Sequence, residues 1–254
     1  MARRKLGQHF LTNSSILKRI ARAACPDPGS AVIEIGPGRG SLTAYLLERA
    51  SRVIAIELDP SLAGQLRARF AAEPRLEIVE ADVLSVDLAQ WGSVPITGNL
   101  PYYIASPIVE RTARLAVPRA VFLIQKEVAQ RLTAEPGTRD YGYFSVQIAL
   151  FAAARLLFEV KPGSFHPPPK VDSAVVLLEP RPLPSGLDSP DDFLRFAGLA
   201  FSHKRKTLRN NLAGVYGKEV VDAWPEAGLR AEQISLAGFL AMYRRLAGKP
   251  PVPT

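Results

Sequence analysis

The chain of 254 residues holds a single cysteine, Cys25. One thiol excludes an intramolecular disulfide and a cysteine-rich zinc or iron–sulfur site, and suggests a reducing compartment. Radical chemistry on a cysteine-held cluster is excluded with it. No uninterrupted apolar run reaches the length of a signal or membrane-spanning segment, although the start, Met1-Ala2-Arg3-Arg4-Lys5, is basic. A soluble cytoplasmic protein is expected, with monomer as the default and no metal. Internal repeats and low-complexity tracts are also lacking. Acidic residues are absent from the first 26 positions, which carry six Lys or Arg, and are scarce from 181 to 254, with seven acids against eleven bases. The net charge of +8 therefore sits on the two ends, and the stretch between them is slightly acidic. Such ends suit a polyanion held from outside a chemical pocket; basic tails that only aid solubility fit the charge equally.

What is present is a core-forming apolar fraction of 47% and a regular alternation of elements. Short β-branched runs at Val32–Ile35, Val53–Glu57, Leu76–Val79, Pro95–Thr97 and Ala120–Gln125 read as strands. Helical spacing falls between them near 40–50, 60–72 and 105–116, the pattern of βαβ units and a parallel sheet. After a helix at Lys126–Thr133, the runs Ala154–Val160 and Val171–Leu178 read as a closing antiparallel pair joined by a Pro-rich loop. Pro180-Arg181-Pro182-Leu183-Pro184-Ser185-Gly186 sustains neither helix nor central strand. It divides the chain into an α/β domain over 1–180 and a small helical domain over 181–254. Helices are expected there at 190–212, 217–224 and 235–246, with a frayed tail at 249–253.

Glu34-Ile35-Gly36-Pro37-Gly38-Arg39-Gly40 joins the first strand of this pattern to a helix, where glycines let the backbone turn tightly and approach a ligand. A nicotinamide cofactor uses a similar turn with an acid about twenty positions on, and Glu57 ends the second strand at that distance. Three details favour S-adenosylmethionine. Ser41 stands where a glycine would complete Gly-x-Gly-x-x-Gly; Glu34 is placed to face a cationic amino-acid end; and Asp82, ending the third strand, is placed to meet an adenine amine. An isolated aspartate there would more simply cap a turn. With the cysteine count, the chemistry left is polar methyl transfer.

Asn99-Leu100-Pro101-Tyr102 ends the fourth strand, at the sheet edge where open α/β folds bind ligands. An exocyclic amine on adenine is a poor nucleophile, because its lone pair is delocalised into the ring. Acceptors aimed at its N–H groups favour the pyramidal form that attacks a methyl group. The Asn99 side-chain oxygen and the Leu100 carbonyl, biased by Pro101 toward an extended residue, supply two. Tyr102 can stack on the base. No strong base is needed, since the methylated cation sheds its proton readily.

Together with these motifs, Gln8-His9-Phe10-Leu11, Gln125-Lys126-Glu127-Val128 and Phe165-His166-Pro167-Pro168-Pro169-Lys170-Val171-Asp172-Ser173-Ala174 make the chain resemble the ribosomal RNA adenine dimethyltransferase family over nearly its whole length. The resemblance implies a Rossmann-like class I methyltransferase sheet. It implies N6,N6-dimethylation of two neighbouring adenosines in the 3′-terminal hairpin of small-subunit rRNA, with S-adenosylmethionine, on a precursor of the subunit. It places His9, Leu11, Gly36, Glu57, Asp82 and Asn99 beside the cofactor; the turn itself adds Glu34, Gly38 and Gly40 as cofactor-binding candidates. Asn99, Leu100, Tyr102 and Phe165 would hold the adenine, Phe165 as an aromatic clamp opposite Tyr102 where a Phe beside prolines otherwise packs. The run His203-Lys204-Arg205-Lys206-Thr207-Leu208-Arg209, read as part of a helix, and the cluster Arg3, Arg4 and Lys5 are the RNA-facing candidates. Alternatives are an assembly factor with secondary methylation, a large-subunit rRNA methyltransferase of the antibiotic-resistance type, and a dehydrogenase.

Overall fold

The computed structural model describes residues 9–115 and 117–246. Arg3, Arg4 and Lys5, and the tail expected to fray, lie outside them. The chain forms two compact units, Met1–Ala129 with Ala152–Pro180, and Gln130–Phe151 with Arg181–Thr254. The division expected at residue 180 differs from this in one segment, Gln130–Phe151. Its apolar residues explain the difference: Tyr141, Val146 and Leu150 are buried with Phe193, Phe196 and Leu212. The Tyr141 hydroxyl also donates to the Ile234 carbonyl at 2.8 Å.

The first unit opens with β1 (Phe10–Leu11) and α1 (Ser14–Ala24). Asn13 caps α1 by accepting from the Ile16 amide, and Leu17, Ile20, Ala21 and Ala24 give it one buried stripe. Then come β2 (Ala31–Ile35), α2 (Ser41–Leu47), β3 (Arg52–Glu57), α3 (Pro60–Arg69), β4 (Leu76–Glu80), β5 (Ile96–Asn99), α4 (Ala105–Ala113) and β6 (Ala120–Gln125). The helix α5 (Lys126–Leu132) follows β6, and α6 (Tyr143–Phe151) belongs to the second unit. The first unit resumes with β7 (Ala152–Val160), β8 (Phe165–His166) and β9 (Ser173–Pro180).

The main sheet runs in the order β4-β3-β2-β5-β6-β9-β7. The first five strands are parallel, and β9 pairs antiparallel with both β6 and β7. The five expected parallel strands and the closing antiparallel pair are thus present, in an α/β doubly wound sheet. Strands buried on both faces need continuous apolar runs, and β3 and β6 have them from Val53 to Ile56 and from Ala120 to Ile124. A separate two-stranded ladder pairs Phe10 with His166 and Leu11 with Phe165, tying the start of the described chain to the segment before β9.

In the second unit, α7 (Pro190–Ala200), α8 (Leu208–Tyr216), α9 (Lys218–Asp222) and α10 (Leu236–Arg245) surround a core of Phe193, Phe196, Leu208, Leu212 and Phe239. Ser189 caps α7 with Pro190 and two acids in the first turn, as the sequence signalled. The single helix expected over 190–212 is broken instead. Asn211 donates from Nδ2 to the Ala200 and His203 carbonyls, satisfying the end of α7, while Thr207 caps a new start at α8. Lys204, Arg205 and Lys206 therefore sit on an exposed turn between helices rather than along one.

Candidate active site

The strand order reverses between β2 and β5. The chain leaves β2 toward β3 and β4, then returns to β5 on its other side, opening a crevice at the carboxyl ends of both. The glycine turn follows β2 and Asn99 ends β5, so the two sequence motifs meet here. Close approach is enforced by Gly98, which sequence reasoning missed: a Cβ there would overlap the Ile35 carbonyl oxygen. Glycine inside a strand is the signal that marks it.

The turn has Gly36, Gly38 and Gly40 at φ of +66°, +57° and +78°. A Cβ on Gly38 would come within 3.0 Å of the Phe10 ring, which packs over the turn beneath the Arg39 guanidinium. Gly36 and Gly38 line the crevice. Gly40 has a packing role. It does not line the crevice, and a Cβ there would run into Phe70 and Leu66, so its glycine lets α2 start against α3.

Three carboxyls face the same space. Glu57 accepts from the Gly38 amide at 3.0 Å and from the Asp59 amide at 2.9 Å, which fixes both the turn and its own carboxylate. Asp82 is exposed and accepts from the Leu84 amide at 2.9 Å, so it caps a turn and lines the crevice at once. Glu34 is 1% exposed. Burial pushes its carboxyl up to about 8 against the 2.6 Å bond from Thr43 Oγ1, with Glu57 adding a smaller repulsion. A neutral acid at this depth is ready to ionise when a cation arrives.

Asn99 Nδ2 donates to the His9 carbonyl at 2.9 Å, across 90 residues. A carbonyl can only accept, so this bond sets which way the amide points and leaves Oδ1 as the acceptor for a ligand. The Leu100 amide donates to the Leu123 carbonyl at 3.0 Å, which fixes the Asn99–Leu100 peptide. Tyr102 is half-buried. Its hydroxyl shares a 2.8 Å hydrogen bond with Ser173 Oγ, and its ring lies 5.7 Å from the His9 imidazole, tilted by 31°. Burial raises the phenol above its usual range, more than the Ser173 bond lowers it. His9 Nδ1 in turn bonds the Pro167 carbonyl at 2.9 Å and must carry the proton. His9, Leu11, Asn99, Leu100 and Tyr102 all line the crevice, with the 59% exposed Tyr103, which sequence reasoning passed over.

Phe165 is placed differently from expectation. It is 4% exposed, lies outside the crevice lining and packs with Leu11, Leu17 and Val175. Pairing of Leu11 with Phe165 in the small ladder accounts for this, so in the ligand-free fold its ring packs in the apolar core instead of lining the crevice. In the second unit, Lys204 donates to the Arg139 carbonyl at 3.1 Å and Arg209 pairs with Asp222 at 2.5 Å. Arg209 thus stands apart from the open basic turn. Among the described residues no group of three or more His, Cys, Asp or Glu is arranged to hold a metal, and no helix is long and apolar enough to cross a membrane.

A glycine cradle, carboxyls ending successive parallel strands and an amide at the switch point define a class I methyltransferase, the class that draws its methyl group from S-adenosylmethionine. The model of the family "Ribosomal RNA adenine dimethylase" matches residues 1–247, and the chain belongs to this family. "Ribosomal RNA small subunit methyltransferase A" of Geobacter sulfurreducens is 40% identical over 262 residues, covering 96% of this chain and 95% of that protein. The protein of the same name from Acidobacterium capsulatum is 42% identical over 256 residues, covering 95% and 90%. Among solved structures, a dimethyladenosine transferase from Plasmodium falciparum superposes with a TM-score of 0.81 at 28% identity, over 96% of this chain and 99% of that one. The 23S rRNA methyltransferase ErmE gives 0.69 at 29% identity, over 94% and 99%. Family membership removes the dehydrogenase alternative, and the dimethyladenosine transferase superposes more closely than ErmE, with TM-scores of 0.81 and 0.69.

Proposed function

We propose that this enzyme transfers methyl groups from S-adenosylmethionine to N6 of two adjacent adenosines near the 3′ end of 16S rRNA, giving N6,N6-dimethyladenosine. The observation that carries the reading is the bond from Asn99 Nδ2 to the His9 carbonyl, which presents Oδ1 as a fixed acceptor at the switch point. The residues present fit the cofactor: the Gly36 and Gly38 cradle for close approach, Glu57 for ribose hydroxyls, Asp82 for the adenine amine and Glu34 for the ammonium end. When bound, S-adenosylmethionine supplies an electrophilic methyl carbon on a sulfonium.

The chain's own residues prepare the nucleophile. Asn99 Oδ1 and the Leu100 carbonyl accept the two N6–H groups, drawing the nitrogen lone pair out of conjugation. Tyr102 supports the ring face, a contact that tolerates repeated methylation. The proton released from N6 leaves to water, and the raised phenol of Tyr102 stays protonated throughout. Lys204, Arg205 and Lys206 meet RNA phosphates, and Arg3, Arg4 and Lys5 are a second candidate patch. The working form is a cytoplasmic monomer acting on a precursor of the small subunit. Incubating under-methylated small subunits with the enzyme and labelled cofactor, followed by mass spectrometry of the RNA, tests the reading. Dimethyladenosine at two neighbouring positions is expected; small-subunit RNA that carries no label overturns it.

A further inference from the structure

Ser173 is fully buried at the first position of β9, and the Tyr102 hydroxyl it binds lies 71 residues away in the chain. The same ring is flanked by His9, itself tied to the Pro167 carbonyl. Without a tether at its tip, a half-buried tyrosine turns about two side-chain torsions; a bond at the hydroxyl removes that freedom. The mechanism above uses the face of this ring and leaves the hydroxyl unexplained.

We propose that Ser173 is a positioning residue that, through the Tyr102 hydroxyl, holds the target base in register for the second methyl transfer more than for the first. The proposal rests on the dimethylation reading. In the first transfer the amine has two N–H groups, and the Asn99 and Leu100 oxygens take one each. After one methyl is added a single N–H remains, so one of the two acceptors loses its partner. Orientation then depends more heavily on the ring against which the base stacks. In this second step the N6 lone pair forms the new N–C bond while the donor's S–C bond breaks with its electron pair left on sulfur. The last N–H proton passes to water.

The test compares wild type, Ser173→Ala, Tyr102→Phe and the double variant on under-methylated small ribosomal subunits, counting monomethyl- and dimethyladenosine over time. Loss of one orienting hydrogen bond is expected to slow the second transfer about five- to tenfold and the first by less than about threefold, so that monomethyladenosine accumulates. The two single variants should show the same product ratio and the double no more than either, since each removes the same bond. A merely structural role for Ser173 would lower both transfers together and leave the ratio alone. A wild-type ratio in Ser173→Ala, or additive losses in the double variant, overturns the proposal. If Ser173→Ala fails to fold, Tyr102→Phe carries the ratio test alone. Wild-type enzyme that produces no methyladenosine overturns the function reading instead, which keeps the two failures distinct.

Discussion

Replacing Glu34 by Gln should make the ligand-free protein more stable at alkaline pH, a reversal of what loss of a crevice carboxyl usually does. The Glu34 carboxyl is buried beside Glu57 and pushed from 4.5 to about 8, and its Thr43 bond offsets only part of the burial. Between these values the native state holds a proton that the unfolded chain has released, so stability falls as pH rises. Below 4.5 both states are protonated and the penalty is absent; above 8 both are ionised and it is complete. At about 1.4 kcal/mol per pH unit across that window, the accumulated cost is roughly 3–5 kcal/mol, a large share of a typical folding free energy. Gln cannot ionise, but its side-chain oxygen can still accept from Thr43, so the variant removes the titration and keeps the bond. Urea midpoints measured from pH 5 to pH 9 on both proteins should coincide at the acid end and diverge upward from there. Parallel profiles would refute the argument. Calorimetry of S-adenosylhomocysteine binding at pH 7, in buffers of different ionisation enthalpy, should show proton release by wild type and none by the variant.

Asn99→Ala should reduce methyl transfer by about a hundredfold or more while S-adenosylhomocysteine affinity stays within a few-fold, because the lost acceptor acts on the reacting amine; near-normal turnover would remove Asn99 from the chemistry. Gly98→Ala, whose Cβ would overlap the Ile35 carbonyl, should cost about 1–3 kcal/mol and lower the melting temperature; an unchanged melt would show that β5 can move away from β2. Neutralising Lys204, Arg205 and Lys206 together should weaken RNA binding and reduce the slope of affinity against salt, with the cofactor constant untouched. A wild-type slope would place the RNA elsewhere.

The parallel strands were legible because each is a β-branched run bounded by polar or turn residues, and the crevice because its two motifs fall at strand ends. The helix α1 was overlooked although Asn13 and the spacing of Leu17, Ile20, Ala21 and Ala24 mark it locally. Other features have no local mark. A two-residue strand such as β1 exists only by pairing with β8, and that pairing turns Phe165 inward. The break between α7 and α8 depends on Asn211 reaching back to Ala200 and His203, where helical spacing alone reads straight through. Ser173 looks like an ordinary strand residue until the fold carries it to Tyr102. Gly40 shares its motif with two cradle glycines, and only the nearby Phe70 and Leu66 distinguish its task.

The small ladder between β1 and β8 also constrains how the enzyme comes into being. A ribosome synthesising this chain releases Asn99 well before His166, the residue that Phe10 must find before the neighbouring His9 carbonyl is held in place. Until then the nascent protein has its glycine turn and its amide but nothing to aim that amide. The aim of that amide is therefore set only once His166 has been made, when this later segment reaches back to clasp an early one.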